Sequence, residues 1–399
     1  MSGTSIRDRI VTTGRDVVNA ADSLAQTALA LSPWVPARGP HRMSDVDAGF
    51  LTKVFAKDAP GAIVEQAKDV GGTAGTTNRR RLSLTWNQTG RSAGLPEMVF
   101  VKGTPLSSKN RTMVAALDMA VHEVDFYRTA RQELGDIVPI SYFASAGVGA
   151  RHLLVLQHLG DGYEHPPFKG ERGVQHAEQM MLTFAKLHAT FWESPRFGTD
   201  MRWAKPQTRR SGFAYLAYTQ RRARVKILRS GEYELPPAAR RLAEIFTKRQ
   251  REVYKLFEKG PLTLIHGDCH FGNTYALADG RAGLLDWQVC FRGPHMRELS
   301  YFISSALTPE MRREHEESLV HLYLDALNEH NVKAPTFDEA WERYRFFFLE
   351  PWDANVITVL WPGMQAHHQV ERTLGHANAA VVDHETDKVV ERALERGYV

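Results

Sequence analysis

The stretch LTLIHGDCHFGNTY, residues 262–275, sets two histidines, an aspartate, a cysteine and an asparagine close together after an apolar run. Two chemistries compete for it. His266, Cys269 and His270 have ligand types that bind zinc, and histidines four apart share one face of a helix. Gly267 and the β-type run Leu262-Thr263-Leu264-Ile265 argue against a helix here, and no glutamate stands where a zinc hydrolase needs its general base. The other chemistry uses the less conspicuous residues. Phosphoryl transfer needs a carboxylate to orient and deprotonate an attacking hydroxyl, and oxygen ligands to hold Mg²⁺ on nucleotide phosphates. Asp268, with Asn273 five positions on, can supply both from a single turn. RAGLLDWQ then delivers Asp286 on a strand, and the turn Ala278-Asp279-Gly280 makes its two flanking strands a hairpin, so that Asn273 and Asp286 can converge on one ion.

Upstream, the other half of such a site stands in the right order. Gly71, Gly72 and Gly75 permit close approach of backbone N–H groups to phosphates. Lys102, at the end of the strand EMVFVKG, can reach the α- and β-phosphates, and Glu123 on the following helix can hold it by an ion pair.

These residues need elements to carry them. A short helix is expected over 44–57, opened by Ser44 with Asp47 three residues later. In the segment 70–87, Leu82, Leu84 and Trp86 alternate with Arg81, Ser83 and Thr85, which predicts a strand rising from a glycine-rich loop or a loop joining two strands. TMVAALDMAVHEVDFYRTAR reads as one helix carrying Glu123, RHLLVLQHL as a buried strand, and 174–193 as a helix. Later segments are mainly helical. Strands with one helix first, and helices after, predict an α+β chain.

The motifs HGDCHFGN and LLDWQ resemble those of the aminoglycoside phosphotransferase and choline kinase family. Within it the chain is nearest to the branch of ecdysteroid-kinase-like proteins and actinobacterial phosphotransferases. The resemblance covers residues 44–330 and includes VHEVDFYR, HLLVLQHL and FAKLHATFW. It implies a protein-kinase-like two-lobe fold, with a small β-sheet N-lobe and a larger, mainly helical C-lobe. It also implies ATP and Mg²⁺ as cofactors and roles for single residues: Asp268 as catalytic base, Asn273 and Asp286 as metal ligands, Lys102 as phosphate lysine and Glu123 as its partner. The segment around Gln157 corresponds to the lobe connection, where adenine pairs with backbone. His266 would brace the loop, and His270 would be a more distant or substrate contact. Glu298 stands where the family commonly has an aspartate, and a longer carboxylate can still brace the loop.

The domains expected are an N-terminal helix and linker (1–40), a nucleotide-binding lobe (41–157) and a catalytic, substrate-binding helical lobe (158–399). Residues 5–31 pattern as an amphipathic surface helix, with Ile6, Ile10, Val17, Leu24 and Leu31 on one side. A net charge of +4 gives no ground for a nucleic-acid partner, and the runs Arg79-Arg80-Arg81 and 220–226 read as solvated faces. Cys269 and Cys290 make no disulfide framework, and no run is long enough to span a membrane. A cytoplasmic, membrane-free enzyme follows as the expectation.

Gly267 stands where protein kinases carry arginine, Trp287-Gln288 replaces Phe-Gly, and little chain separates Asp286 from the helix expected near Met296. The reading is therefore a kinase for a small hydroxylated molecule. Its alternatives are a nucleotide-binding pseudokinase that regulates a partner, and a zinc metallohydrolase using His266, Cys269 and His270. The aromatic run Tyr344, Phe346, Phe347, Phe348, Trp352 and Trp361 is core by default. Any part of it lining a pocket would favour a bulky, partly apolar acceptor over a polycationic aminoglycoside, whereas Glu350 and Asp353 keep a cation in play. His188 reads as a core histidine.

Overall fold

The computed structural model describes residues 42–160, 162–360 and 367–396. The helix expected over 5–31, the linker after it and Trp361 lie outside the described residues. The chain divides into two compact units. Of the described residues, the first holds those from 42 to Gly162 and takes back Arg210–Ala214 and Asp286–Val289; the second holds the others.

The first unit is built on an antiparallel sheet of order β1-β2-β3-β5-β4, with β1 Val64–Ala74, β2 Asn78–Trp86, β3 Met98–Gly103, β4 Ser141–Ala146 and β5 His152–Gln157. Strand alternation decides its faces. Leu82, Leu84 and Trp86 of β2 and Val99 and Val101 of β3 are buried together with Leu153 and Val155 of β5. Helix α1, Ala48–Phe55, covers that face with Leu51 and Phe55, and the Phe55 ring meets Trp86 edge-on at 5.2 Å. Each such burial stabilises by ~1.5–3 kcal/mol. The same alternation turns Arg79 and Lys102, register partners across β2 and β3, to the opposite face.

Three expectations change in detail. Helix α1 is opened by Asp47, whose carboxylate accepts from Phe50 N at 2.7 Å; Ser44 lies in a separate 3-10 turn. Gly71 and Gly72 belong to β1 rather than to a loop, and the connection to β2 is only Gly75-Thr76-Thr77. The single helix expected through Glu123 is two, α2 Ser108–Ala116 and α3 Met119–Thr129, broken at Asp118, whose φ is 52°.

In the second unit, helix α4 Glu171–Thr190 packs on both of two small antiparallel sheets, α5 Met296–Ala306 on one of them, and α6 Pro309–Glu329 on α4. One has the order β6-β8-β9 (Tyr163–Glu164, Thr274–Leu277, Ala282–Leu284), and the other pairs β7 Leu262–Ile265 with β10 Phe291–Pro294. The β8–β9 hairpin is the one expected from Asp279-Gly280. The α+β division holds: sheet first, helices after.

Within the second unit, Tyr344, Phe346, Phe347, Phe348 and Trp352 are all buried, and Trp352 Nε1 donates to Asn378 Oδ1 at 2.9 Å. They are core. Among the described residues, no helix is long and apolar enough to cross a membrane.

Candidate active site

The first unit gathers Lys102, Glu123, Asp286 and Arg79. Lys102 lies at the end of the central strand β3, buried, with its ammonium 2.8 Å from both Glu123 oxygens and 2.7 Å from Asp286 Oδ1. Arg79 reaches the other Asp286 oxygen at 3.2 Å. Burial pulls the Lys102 ammonium down, but Asp286 and Glu123 outweigh it, and its affinity for the proton ends above the ordinary lysine value. Burial pushes Glu123 up, against the pull of Lys102. Asp286 sits in left-handed backbone at φ 65°, a conformation rare for a residue with a side chain and concentrated at functional positions. The indole of Trp287 stacks on Phe126 of α3 at 3.8 Å and anchors this short segment.

The glycines differ in what they allow. A side chain at Gly72 would meet Arg79 O at 2.0 Å, so glycine there is demanded by strand packing. Gly71, at φ 122°, forms a bulge beside Asp69. Gly75, in the turn, has open space where a side chain would stand, while its N–H donates to Thr77 O at 3.0 Å and its carbonyl accepts from Asn110 Nδ2 at 2.6 Å. Gln157 pairs with Ile140 twice, through its amide to the carbonyl at 2.8 Å and through Oε1 from the amide at 3.1 Å. Its own N–H is spent inside the sheet, and an adenine paired in this segment would use backbone beyond it.

The second unit holds the loop after β7. Gly267, at φ 84°, turns the chain out of the strand. His266 Nδ1 accepts from Asp268 N at 3.3 Å, so its Nε2 carries the proton given to Leu285 O at 2.7 Å. Glu298 of α5 accepts from the amides of His266 (2.7 Å) and Gly267 (3.1 Å), which is the bracing expected of it. Beside it, Arg297 donates to Gly267 O at 3.1 Å and pairs with Glu350 at 2.8 Å. His270 caps the turn by accepting from Gly272 N. Asn273 turns its amide nitrogen onto Asp268 O at 2.9 Å, which leaves its Oδ1 facing away as a hard oxygen donor.

Asp268 itself is partly exposed, and Tyr301 of α5 donates to its Oδ1 at 3.1 Å. Burial, and then the Asp268 charge, hold the Tyr301 phenol well above its usual range, so it stays a donor. The Nε2 of His270 lies 4.0 Å from the other Asp268 oxygen.

The zinc alternative does not survive this geometry. Both ring nitrogens of His266 are engaged, the Cys269 thiol is buried and donates to Glu298 O, and the Nδ1 of His270 serves the backbone. Among the described residues, no group of three or more His, Cys, Asp or Glu is set to hold a metal ion. A site for Mg²⁺ needs fewer protein ligands, because phosphates and water supply the others. Glu350 and Asp353 are likewise spoken for, by Arg297 and by Arg224 at 2.6 Å. His188 is buried against the Tyr323 hydroxyl at 2.9 Å, as a core histidine.

Two residues of these groupings carry no site role in the sequence motifs. Arg79 reads there as one of three solvated arginines; its register opposite Lys102 is the signal that places it. Tyr301 stands three residues after Glu298, a helical spacing that puts both toward the same loop.

Comparison with known proteins adds the following. The profile of the ecdysteroid kinase-like family matches residues 76–335. A methylthioribose kinase of Bacillus pumilus is 27% identical over 139 residues, 33% of this chain, and the chain spans 34% of that relative's length. Among solved structures, a choline/ethanolamine kinase family protein from Mesorhizobium loti is 12% identical, with TM-score 0.48 over 93% of this chain and 98% of that one. A macrolide 2'-phosphotransferase from Brachybacterium faecium is 13% identical, with TM-score 0.45 over 82% and 97%.

Proposed function

The chain belongs to the ecdysteroid kinase-like family, and on that basis we propose that it transfers the γ-phosphoryl group of ATP to a hydroxyl of a small molecule. The observation that carries this reading is the buried ammonium of Lys102 fixed between Glu123 and Asp286. An ammonium so costly to bury is stabilised there by two carboxylates, and phosphate recognition is the use that fits it.

Asp268 accepts the proton of the acceptor hydroxyl, and Tyr301 holds the carboxylate that does so. Lys102 is directed at the phosphates. Asn273 and Asp286 are the proposed Mg²⁺ ligands. Asn273 offers Oδ1, and Asp286 is a carboxylate already drawing cations to both oxygens. Bound Mg²⁺ would neutralise charge on the triphosphate.

The described members of the aromatic run, Tyr344, Phe346, Phe347, Phe348 and Trp352, are core and give no acceptor pocket. A different pair supports a partly apolar acceptor: Phe271, three residues after Asp268, meets Phe168 edge-on at 5.9 Å, and both are part-exposed. The pairing of Glu350 and Asp353 with arginines removes two acidic candidates for a polycationic acceptor.

The test is phosphate transfer from Mg·ATP to a panel of sugar, amino-alcohol, sterol and aromatic hydroxyl compounds, with Asp268→Asn alongside. Transfer abolished by the substitution supports the reading. Nucleotide binding with transfer to none of them would instead support the pseudokinase.

A further inference from the structure

Arg79 has no part in the site read from the sequence, yet it shares a carboxylate with Lys102. Arg79 and Lys102 are register partners on adjacent strands and lie on the sheet face opposite the core. Each takes one oxygen of Asp286, at 3.2 and 2.7 Å. Their situations differ. Lys102 is buried and keeps Glu123 against it whatever Asp286 does. Arg79 is a third exposed, and among the described residues its ion pair is with Asp286.

We propose that Arg79 is a phosphate-binding residue that occupies Asp286 until a divalent cation takes that carboxylate, and then turns its guanidinium to the terminal phosphates of the nucleotide. This rests on the phosphotransferase reading above. The physical reason is charge. Lys102, Arg79, Glu123 and Asp286 balance to neutrality, and a divalent cation on Asp286 repels the guanidinium that lies against the same oxygens. The triphosphate that arrives with the cation offers the anionic oxygens Arg79 then lacks, in the planar pairing that guanidinium makes best. Arg79 also stands one residue past the start of β2, beyond the three-residue turn that contains Gly75.

Calorimetric titration tests this with ATP and AMP, each across a Mg²⁺ series, for the wild type, Arg79→Met and Arg79→Lys. Arg79→Met is expected to weaken ATP about tenfold while leaving AMP unchanged. It is also expected to lower the Mg²⁺ concentration at half-effect about tenfold, because the competing charge is gone. Arg79→Lys should restore the Mg²⁺ midpoint but not the ATP affinity. Equal weakening of ATP and AMP, or an unmoved Mg²⁺ midpoint in Arg79→Met, overturns the proposal while leaving the kinase reading intact. A wild type that binds no ATP at any Mg²⁺ level overturns both. If Arg79→Met does not fold by circular dichroism, Arg79→Lys decides alone: ATP affinity equal to wild type overturns the assignment.

Discussion

The phenol of Tyr301 donates to Asp268 Oδ1 across 3.1 Å, from a helix whose preceding turn also braces the loop that carries Asp268. One helix therefore fixes both the loop backbone just before the proposed base, at His266 and Gly267, and the carboxylate of that base. Tyr301→Phe removes a hydrogen bond to a charged group, worth ~1.5–3 kcal/mol. The expected result is a fall in kcat of about tenfold or more, with KM for ATP unchanged. Steady-state kinetics on any accepted alcohol check it; a fall in nucleotide affinity instead would assign Tyr301 a merely structural role.

Glu298→Gln tests the brace directly. The buried carboxylate takes two backbone amides and lies 3.7 Å from the Arg297 guanidinium. Arg297 keeps Glu350, but the glutamine NH2 must face one of those two amide N–H groups, and the expected destabilisation is ~2 kcal/mol. Urea denaturation measures it. A midpoint within experimental error of wild type would show that the loop stands without Glu298.

The hairpin glycines separate packing from ligand contact. Gly72→Ala places a methyl against Arg79 O, where strand backbone must move, and should destabilise by ~2 kcal/mol or more. Gly75→Ala meets nothing and should leave stability within ~0.5 kcal/mol. If phosphates approach the Gly75 backbone, the same substitution weakens ATP binding. Melting curves with and without Mg·ATP give both answers.

Three buried histidines make stability depend on pH. Burial depresses His176 to about 4 and His188 to about 3, and it holds His295 well below the ordinary value. The folded protein keeps them neutral, whereas the unfolded chain takes up protons near pH 6.5. Their stabilisation is complete above that value and is lost as pH falls toward the folded values. Between pH 7.5 and 6 the three together should cost roughly 2 kcal/mol. Below about pH 6, Glu123, raised by burial, works in the opposite direction, so the upper interval is where the slope is read. A urea midpoint that stays constant from pH 7.5 to 6 would contradict the neutral buried state.

Much of the candidate site is legible because its proposed residues sit in contiguous motifs. The order Asp268, Asn273, Asp286 survives as a loop, a turn and a hairpin end, and strand alternation alone sends Lys102 to the face away from the core. What escaped depends on partners distant in the chain. The break at Asp118 is hidden because the apolar spacing continues on both sides of it. β4 carries little sequence signal because its residues are mostly half-exposed and show no clean alternation. Arg79 is one of three adjacent arginines, and only Lys102 opposite it across the ladder sets it apart. The aromatic run after Tyr344 illustrates a different limit: apolar identity does not distinguish core from pocket, since both exclude water.

The first unit is not one continuous piece of chain. Its Phe126 waits for Trp287, and Arg210 donates to Val289 O at 3.0 Å and meets His122 at 2.7 Å. The gene therefore cannot be cut after Gly162 to yield a stand-alone nucleotide-binding fragment, since the pieces that finish it are encoded far downstream. On the ribosome the same arrangement imposes a delay. At ~5–20 residues per second, the sheet emerges on the order of ten seconds before its last stacking partner, and it must stay soluble incomplete for that long.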